Sequence, residues 1–277
     1  MIDEDRIKQM LVVSVQAALQ AGNIIMEFYG NDPVVQLKPD ESPVTEADKK
    51  AEELILKRIN DFGIPVVAEE SVASGNIPKV SNDLFWLVDP LDGTKEFLKQ
   101  NGEFTVNIAL IDNYRPVMGV VYAPALQELY IGSSISGTRK YTEIDPQSPP
   151  KLNYDDLINS GEVLNNSEKN TKLKALKVVG SRSHLNEETI NYVKKLKETS
   201  GEVEMVSVGS SLKFCIVAEG SAGLYPRFGP TMEWDTAAGH AVALFAGCKM
   251  TDYPWENEFI YGKKNFRNTW FVVQGNI

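Results

Sequence analysis

The chain has 277 residues, 43% hydrophobic and 24% charged, with 28 Lys and Arg against 38 Asp and Glu for a formal net charge of −10. The size allows one large domain or two packed halves, and the composition is that of a soluble globular protein. The acidic balance argues against a nucleic-acid partner, which needs a basic surface, and no apolar run approaches the length that spans a bilayer.

The first ten residues are polar and carry Asp3, Glu4 and Asp5, so they do not read as a signal peptide. Residues 4–29 carry Ile7, Leu11, Val15, Ala18, Gly22 and Ile25 at three- and four-residue spacing. That spacing predicts an amphipathic helix, with Gly30 as its terminator. The next helix is signalled by Thr45-Glu46-Ala47-Asp48, followed by Ala51, Leu54, Ile55 and Ile59. Thr45 suits an N-cap, and Asp48 suits the far side of a capping box, which is a sufficient role for that acid taken alone. Residues 63–68 read as a short strand ending in Glu69-Glu70. The run Phe85-Trp86-Leu87-Val88 reads as a buried strand that ends at Asp89, because Pro90 has no N–H for a sheet ladder.

Asp89 and Asp92 then share one tight turn, in which Gly93 permits close backbone approach. The turn has two readings. It is an Asx-type turn between strand and helix, or it is a seat for a hard cation and for a phosphate on the Gly93 and Thr94 amides. Acids at the ends of two successive strands, Glu69 and Asp89, favour a shared metal site. Residues 104–111 and 117–122 predict paired strands around Asp112-Asn113, and 127–131 a third. From Asp145 to about Lys172 the chain is rich in Pro, Asn, Ser and charge. It reads as a partly irregular connection between two halves, 1–148 and 149–277.

The second half alternates. Strand 176–179 leads to a polar loop over 180–184, then to a helix over 187–198 with Ile190, Val193 and Leu196 facing inward. Strand 203–208 leads to the small-residue loop Gly209-Ser210-Ser211, with Ser211 capping a helix over 212–219. Strand 222–227 is followed by a helix from Trp234 to Phe245, closed by Gly247. Such units build open sheets with ligand loops along one edge. His240 lies inside the last helix and reads as a packed or surface residue, whereas His184 lies on a loop. Cys215 and Cys248 sit in apolar surroundings and read as reduced core thiols, as in a cytoplasmic protein. Lys213 and Arg227 are cations near predicted ligand loops, suited to an anion that metal ions do not hold.

Several stretches together resemble a known family. They are Trp86-Leu87-Val88-Asp89-Pro90-Leu91-Asp92-Gly93-Thr94 and Trp234-Asp235-Thr236-Ala237-Ala238-Gly239, with Glu69-Glu70 and Val44-Thr45-Glu46-Ala47-Asp48 in the same order. These resemble the signatures of the inositol monophosphatase superfamily, and the resemblance covers nearly the whole chain. Within it, Gly93-Thr94-Lys95-Glu96-Phe97, Asn101-Gly102-Glu103-Phe104-Thr105-Val106-Asn107-Ile108-Ala109-Leu110, Gly180-Ser181-Arg182-Ser183-His184, Ser210-Ser211-Leu212-Lys213-Phe214-Cys215 and Leu224-Tyr225-Pro226-Arg227-Phe228-Gly229-Pro230-Thr231 resemble the bacterial 3'(2'),5'-bisphosphate nucleotidase branch. The segment 148–172 looks longer than in such relatives, and the tail beyond Asp252 matches weakly.

The resemblance implies a layered αβαβα sandwich of the inositol monophosphatase/fructose-1,6-bisphosphatase type, an N-terminal α+β half and a C-terminal α/β half with the site between them. It implies Mg²⁺-dependent removal of the 3'-phosphate of adenosine 3',5'-bisphosphate, giving AMP and phosphate, within sulfur metabolism and with sensitivity to lithium. Inositol monophosphatase activity is the alternative. Glu69, Asp89, Asp92, Asp235 and the Leu91 carbonyl would be ligands of two or three Mg²⁺ ions. Thr94, Asp48 and Glu69 would act on the attacking water. Glu69, Gly93, Thr94, Ser181, His184, Gly209, Ser211, Lys213, Arg227 and Asp235 would contact the phosphorylated nucleotide. Glu70 would support the site from behind or through a bridging water. The expected partner is this small molecule, with no transmembrane segment. A homodimer and peripheral contact with the inner membrane face are left open.

Overall fold

A computed structural model describes residues 2–31, 36–37, 43–80, 84–166, 175–180 and 186–276. The N-terminal helix α1 (Glu4–Phe28) begins where the Asp3 carboxylate accepts the Arg6 amide, with Glu4 and Asp5 in its first turn. Two short strands follow, β1 (Gln36–Leu37) and β2 (Pro43–Val44), then α2 (Glu46–Ile59), β3 (Val66–Ala68), α3 (Glu69–Ala73), β4 (Leu84–Asp92) and α4 (Thr94–Leu98). An antiparallel run comes next: β5 (Thr105–Asp112), β6 (Arg115–Ala123), β7 (Glu128–Ser133) and β8 (Gly137–Tyr141). Helix α5 (Tyr154–Asn159) and β9 (Glu162–Leu164) follow. The chain then alternates through β10 (Leu176–Gly180), α6 (Glu187–Ser200), β11 (Val203–Ser207), α7 (Leu212–Ala218), β12 (Leu224–Arg227), α8 (Trp234–Phe245), β13 (Lys249–Asp252) and β14 (Phe271–Gln274).

The larger sheet has seven strands in the order β3-β4-β5-β6-β7-β8-β9, parallel only between β3 and β4. The smaller has five in the order β11-β10-β12-β14-β13, parallel among β11, β10 and β12. Side chains alternate across β4, as a two-residue period requires. Trp86 and Val88 point to a core shared with Met10, Leu11 and Val15 of α1 and Ile55 of α2. Phe85 and Leu87 point to a second core shared with Phe214 of α7, Ala238 and Val242 of α8, and Phe271 of β14. A third, smaller core joins Val178, Val203 and Leu224 of the small sheet to Val193 of α6. The layers are therefore α1/α2, large sheet, α7/α8, small sheet and α6: the expected αβαβα sandwich.

Three local expectations change. Strand β4 does not stop at Pro90 but runs to Asp92, because its pairing with β5 shifts register between Asp89 and Asp92. Pro90 sits in that irregularity, where the ladder needs no N–H from it. On α6, Ile190 is 40% exposed and Thr189 takes the inward position in its place, whereas Val193 and Leu196 pack inward as expected. Thr189 is held there by the Asn186 cap, whose side chain accepts both the Thr189 amide and its hydroxyl. Finally, α1 has by length and composition what a membrane span has, contrary to the expectation of no such apolar run. Its Met10, Leu11, Val15, Ala18 and Ile25 are buried against α2 and the large sheet. Beyond Asp252, where the sequence pattern is weak, β14 completes the small sheet between β12 and β13. Within 145–172, β9 pairs with β8 at the far edge of the large sheet.

Candidate active site

Five parts of the chain meet at one cavity of about 260 Å³. Its lining includes Glu69 from α3, Asp92, Gly93 and Thr94 from the β4–α4 junction, Gly209, Ser210 and Lys213 around the start of α7, Arg227 from β12, and Asp235 from α8. The β4 irregularity is what separates Asp89 from Asp92. Asp89 lies opposite Asn107 and Asp92 opposite Thr105, so three steps on β4 match two on β5. The Asx reading of this turn holds as far as it goes, since Asp89 Oδ1 accepts the Leu91 amide at 3.1 Å. Gly93 has φ +93°, and a Cβ there would stand 3.2 Å from the Glu103 carbonyl. Both facts suit glycine.

Asp48 is doubly engaged. One oxygen, Oδ2, accepts the Thr45 amide at 2.7 Å and the Thr45 hydroxyl at 2.6 Å, closing the capping box of α2. The other, Oδ1, lies 3.3 Å from Thr94 Oγ1. The Thr94 hydroxyl is also 3.4 Å from the Leu91 carbonyl oxygen, so its single proton has two candidate acceptors. The cap thus holds this carboxylate from behind, while its other oxygen, Oδ1, faces the Thr94 hydroxyl at the β4–α4 junction.

The acids share one charge problem. Burial, then the charges of Glu69, Asp92 and Asp235, push the Asp89 carboxyl well above its ordinary range. Burial and the charges of Asp92 and Glu69 do the same to Asp235, against the Met232 amide, which donates to Asp235 Oδ2 at 2.9 Å. Burial also raises Asp92, opposed by the charge of Lys213 and by the Ser211 hydroxyl. Lys213 is itself buried, and desolvation lowers it to about 8 while Asp92 pulls it back up. Its ammonium donates to the Ser210 carbonyl at 2.5 Å and lies 3.4 Å from that of Val208. Among the described residues, no three acidic, His or Cys side chains are gathered at the spacing that holds an ion. Like charges in one buried region repel, and either a proton or a bound cation relieves that repulsion.

Most sequence-predicted residues converge, in different ways. Asp89 is buried behind the cavity wall and Asp48 behind Thr94. Gly209 lines the cavity and donates its amide to Glu103 Oε2 at 2.9 Å; a Cβ there would come within 2.7 Å of the Glu103 carbonyl oxygen. Lys213 lies in the first turn of α7, inside the helix expected over 212–219. Ser211 does not cap α7 with its side chain. Its buried hydroxyl lies 3.0 Å from Asp92 Oδ2 and 3.0 Å from the Asp235 carbonyl oxygen, and accepts from Asn107 Nδ2 at 2.9 Å. It thus braces Asp92. Glu70 is buried, with its amide on Glu52 Oε2. Ser181 and His184 lie outside the described residues. His240 is packed, its Nδ1 3.1 Å from the Tyr261 hydroxyl.

Two residues of the site are given no role by the motif reading. Asn107 ties Ser211 to the carboxylates; its signal was a lone amide inside the apolar run Val106-Asn107-Ile108. Glu52 reaches α3 from α2; its signal was an acid on the apolar stripe, four residues after Asp48.

Residues 6–269 match the inositol monophosphatase family. The 3'(2'),5'-bisphosphate nucleotidase CysQ of Salmonella typhimurium is 42% identical over 274 residues, 95% of this chain and 99% of that protein. The crystal structure of CysQ from Bacteroides thetaiotaomicron, a bacterial member of the inositol monophosphatase family, superposes with a TM-score of 0.84 at 42% identity, covering 97% of each chain. An inositol monophosphatase from Thermotoga maritima shares the fold at TM-score 0.71 and 23% identity, over 94% of this chain and 90% of its own.

Proposed function

The chain belongs to the inositol monophosphatase family, and on that premise we propose that it is a phosphatase that removes the 3'-phosphate of adenosine 3',5'-bisphosphate, releasing AMP and phosphate. The observation that carries this reading is the Thr94–Asp48 pair, set beside a cavity whose lining also includes the cations Lys213 and Arg227. The likeness to 3'(2'),5'-bisphosphate nucleotidases along 95% of the chain supports the choice of a nucleotide over inositol phosphate.

The donor set fits hard divalent cations: Glu69, Asp89, Asp92, Asp235 and the Leu91 carbonyl are all oxygen donors, with Asp89 buried and Asp92 and Asp235 partly buried in the cavity lining. These residues would hold two or three Mg²⁺ ions, which when bound supply charge neutralisation, acidification of water and stabilisation of the leaving oxygen. The rest falls to the chain's own groups. The Thr94 hydroxyl donates toward Asp48 Oδ1 and keeps lone pairs to accept a hydrogen bond from the attacking water. Asp48 cannot swing away, because Thr45 holds its other oxygen with two donors. The proton shed by the water passes through Thr94 Oγ1 toward Asp48 Oδ1. The Gly93 and Thr94 amides open α4 and would bind oxygens of the phosphate under attack. Lys213 and Arg227 would hold the second phosphate, Arg227 through its planar fork. Ser211 and Asn107 keep Asp92 in place.

Phosphate release with Mg²⁺ from adenosine 3',5'-bisphosphate, inositol 1-phosphate and fructose 1,6-bisphosphate tests the reading. The nucleotide is expected to give the highest kcat/KM. An outright preference for inositol 1-phosphate would replace the reading with the inositol monophosphatase alternative.

A further inference from the structure

Helix α3 has no cap of its own. Its N-cap residue is Ala68, whose side chain has no acceptor, and the helix begins on Glu69. The missing acceptor comes from α2. Glu52 Oε2 takes the Glu70 amide at 2.8 Å, and Oε1 takes the Ser71 hydroxyl at 2.6 Å. Glu52 is 5% exposed and stands among Ala51, Ile55 and Ile59, all fully buried. A carboxylate on such a stripe is costly to bury, and an apolar residue would suit the packing better. It is also one more negative charge in a region that already holds Glu69, Asp89, Asp92 and Asp235.

What Glu52 contributes is geometry. It follows Asp48 by four residues, so the two carboxylates lie on the same face of α2, one turn apart. One turn of the helix holds Asp48 against Thr94, and the next grips the start of α3. We infer that Glu52 is a positioning residue: through the Glu70 amide and the Ser71 hydroxyl it fixes the first turn of α3, and with it the Glu69 carboxylate, relative to the Thr94–Asp48 pair. This rests on the reading of Glu69 as a metal ligand.

The test compares Glu52→Gln and Glu52→Ala with wild type in the full-length protein. Three quantities are measured: the metal-free melting temperature, its rise on adding Mg²⁺, and the Mg²⁺ concentration that gives half-maximal phosphate release from adenosine 3',5'-bisphosphate. Gln keeps the shape but offers a neutral acceptor, and Ala offers none. The half-saturating Mg²⁺ is expected to rise in the order wild type, Gln, Ala, by about 10-fold or more for Ala, as for other supports of metal ligands. At saturating Mg²⁺, kcat is expected to stay within about threefold of wild type, and the Mg²⁺-induced rise in melting temperature to shrink in the same order. A lower metal-free melting temperature with wild-type Mg²⁺ response in both variants makes Glu52 a stability residue only and overturns the inference. If the Ala variant does not fold, the Gln variant decides by the same criterion. A wild type without any thermal response to Mg²⁺ overturns the metal reading and this inference with it. If wild type responds to Mg²⁺ but does not hydrolyse the nucleotide, only the substrate is wrong, and the thermal shifts still decide the role of Glu52.

Discussion

Thr94 Oγ1 lies 3.3 Å from Asp48 Oδ1, across the gap between the end of β4 and the start of α2. The same Asp48 closes the capping box of its own helix through Oδ2. A local helix-starting device has thus been given a second partner 46 residues away in sequence.

This arrangement separates two mutations. Thr94→Val keeps the shape and removes the hydroxyl, so turnover should fall by about 10²–10⁴-fold with little change in melting temperature. Thr45→Val takes one donor from Asp48 Oδ2 and weakens the cap, costing about 1 kcal/mol of stability and a smaller share of turnover. Phosphate release and thermal melts check both. Equal losses of activity in the two variants would mean that Thr94 is no more than another support of the fold.

Asp89→Asn should act in opposite directions on the metal-free and the metal-bound protein. Asp89 is buried and faces the charges of Glu69, Asp92 and Asp235. Neutralising it relieves that repulsion, so the metal-free variant should melt at or above the wild-type temperature. Its melting temperature should no longer rise with Mg²⁺, and phosphate release should drop to background. A well-folded Asp89→Asn protein with normal turnover at modest Mg²⁺ would remove Asp89 from the ligand set.

Arg227 and Lys213 should not behave alike. Arg227 lines the cavity, and its Nη2 lies 3.2 Å from the Pro230 carbonyl oxygen. Arg227→Ala should raise KM for adenosine 3',5'-bisphosphate by about 10- to 100-fold, as for loss of a charge-assisted contact, and change a small monophosphate much less. Lys213 is buried on the Ser210 carbonyl and is the cation that offsets Asp92. Lys213→Ala should therefore lose stability as well as activity on every substrate. Uniform loss on both substrates in Arg227→Ala would make Arg227 structural too.

His240 predicts a pH effect on stability. Burial lowers its folded-state value from 6.5 to about 3, so it stays neutral between α8 and Tyr261. The unfolded chain protonates this ring as pH falls through 6.5, whereas the folded chain does so only near 3. The neutral ring's contribution is therefore present above pH 6.5 and is lost on acidification, at roughly 1 kcal/mol per pH unit. Urea unfolding of wild type and His240→Phe between pH 7.5 and pH 5 (roughly the window in which this ring titrates) checks it. The difference between the two should shift toward the variant as pH falls, and parallel stability curves would exclude His240 as its source.

What the chain could declare by itself is what short-range chemistry writes into neighbouring residues. Thr45 and Asp48 announce a capped helix, Asp89 to Thr94 a turn rich in carboxylate, and the periodicity of α1 its apolar face. These are legible because each depends on residues within a few positions of one another. The position of β14 between β12 and β13 was not legible, nor was the extension of β4 through Pro90, since each depends on a partner strand. The site divides the same way. Its acids could be named from motifs, but a serine that braces Asp92 instead of capping α7 becomes visible only when Asn107 and Asp235 arrive beside it. Likewise Glu52 reads as an acid misplaced on an apolar stripe until α3, with an alanine where its cap should be, is packed against it. Tertiary structure decides these roles because a buried polar group must find its partner wherever the fold puts one, and sequence distance does not limit that choice.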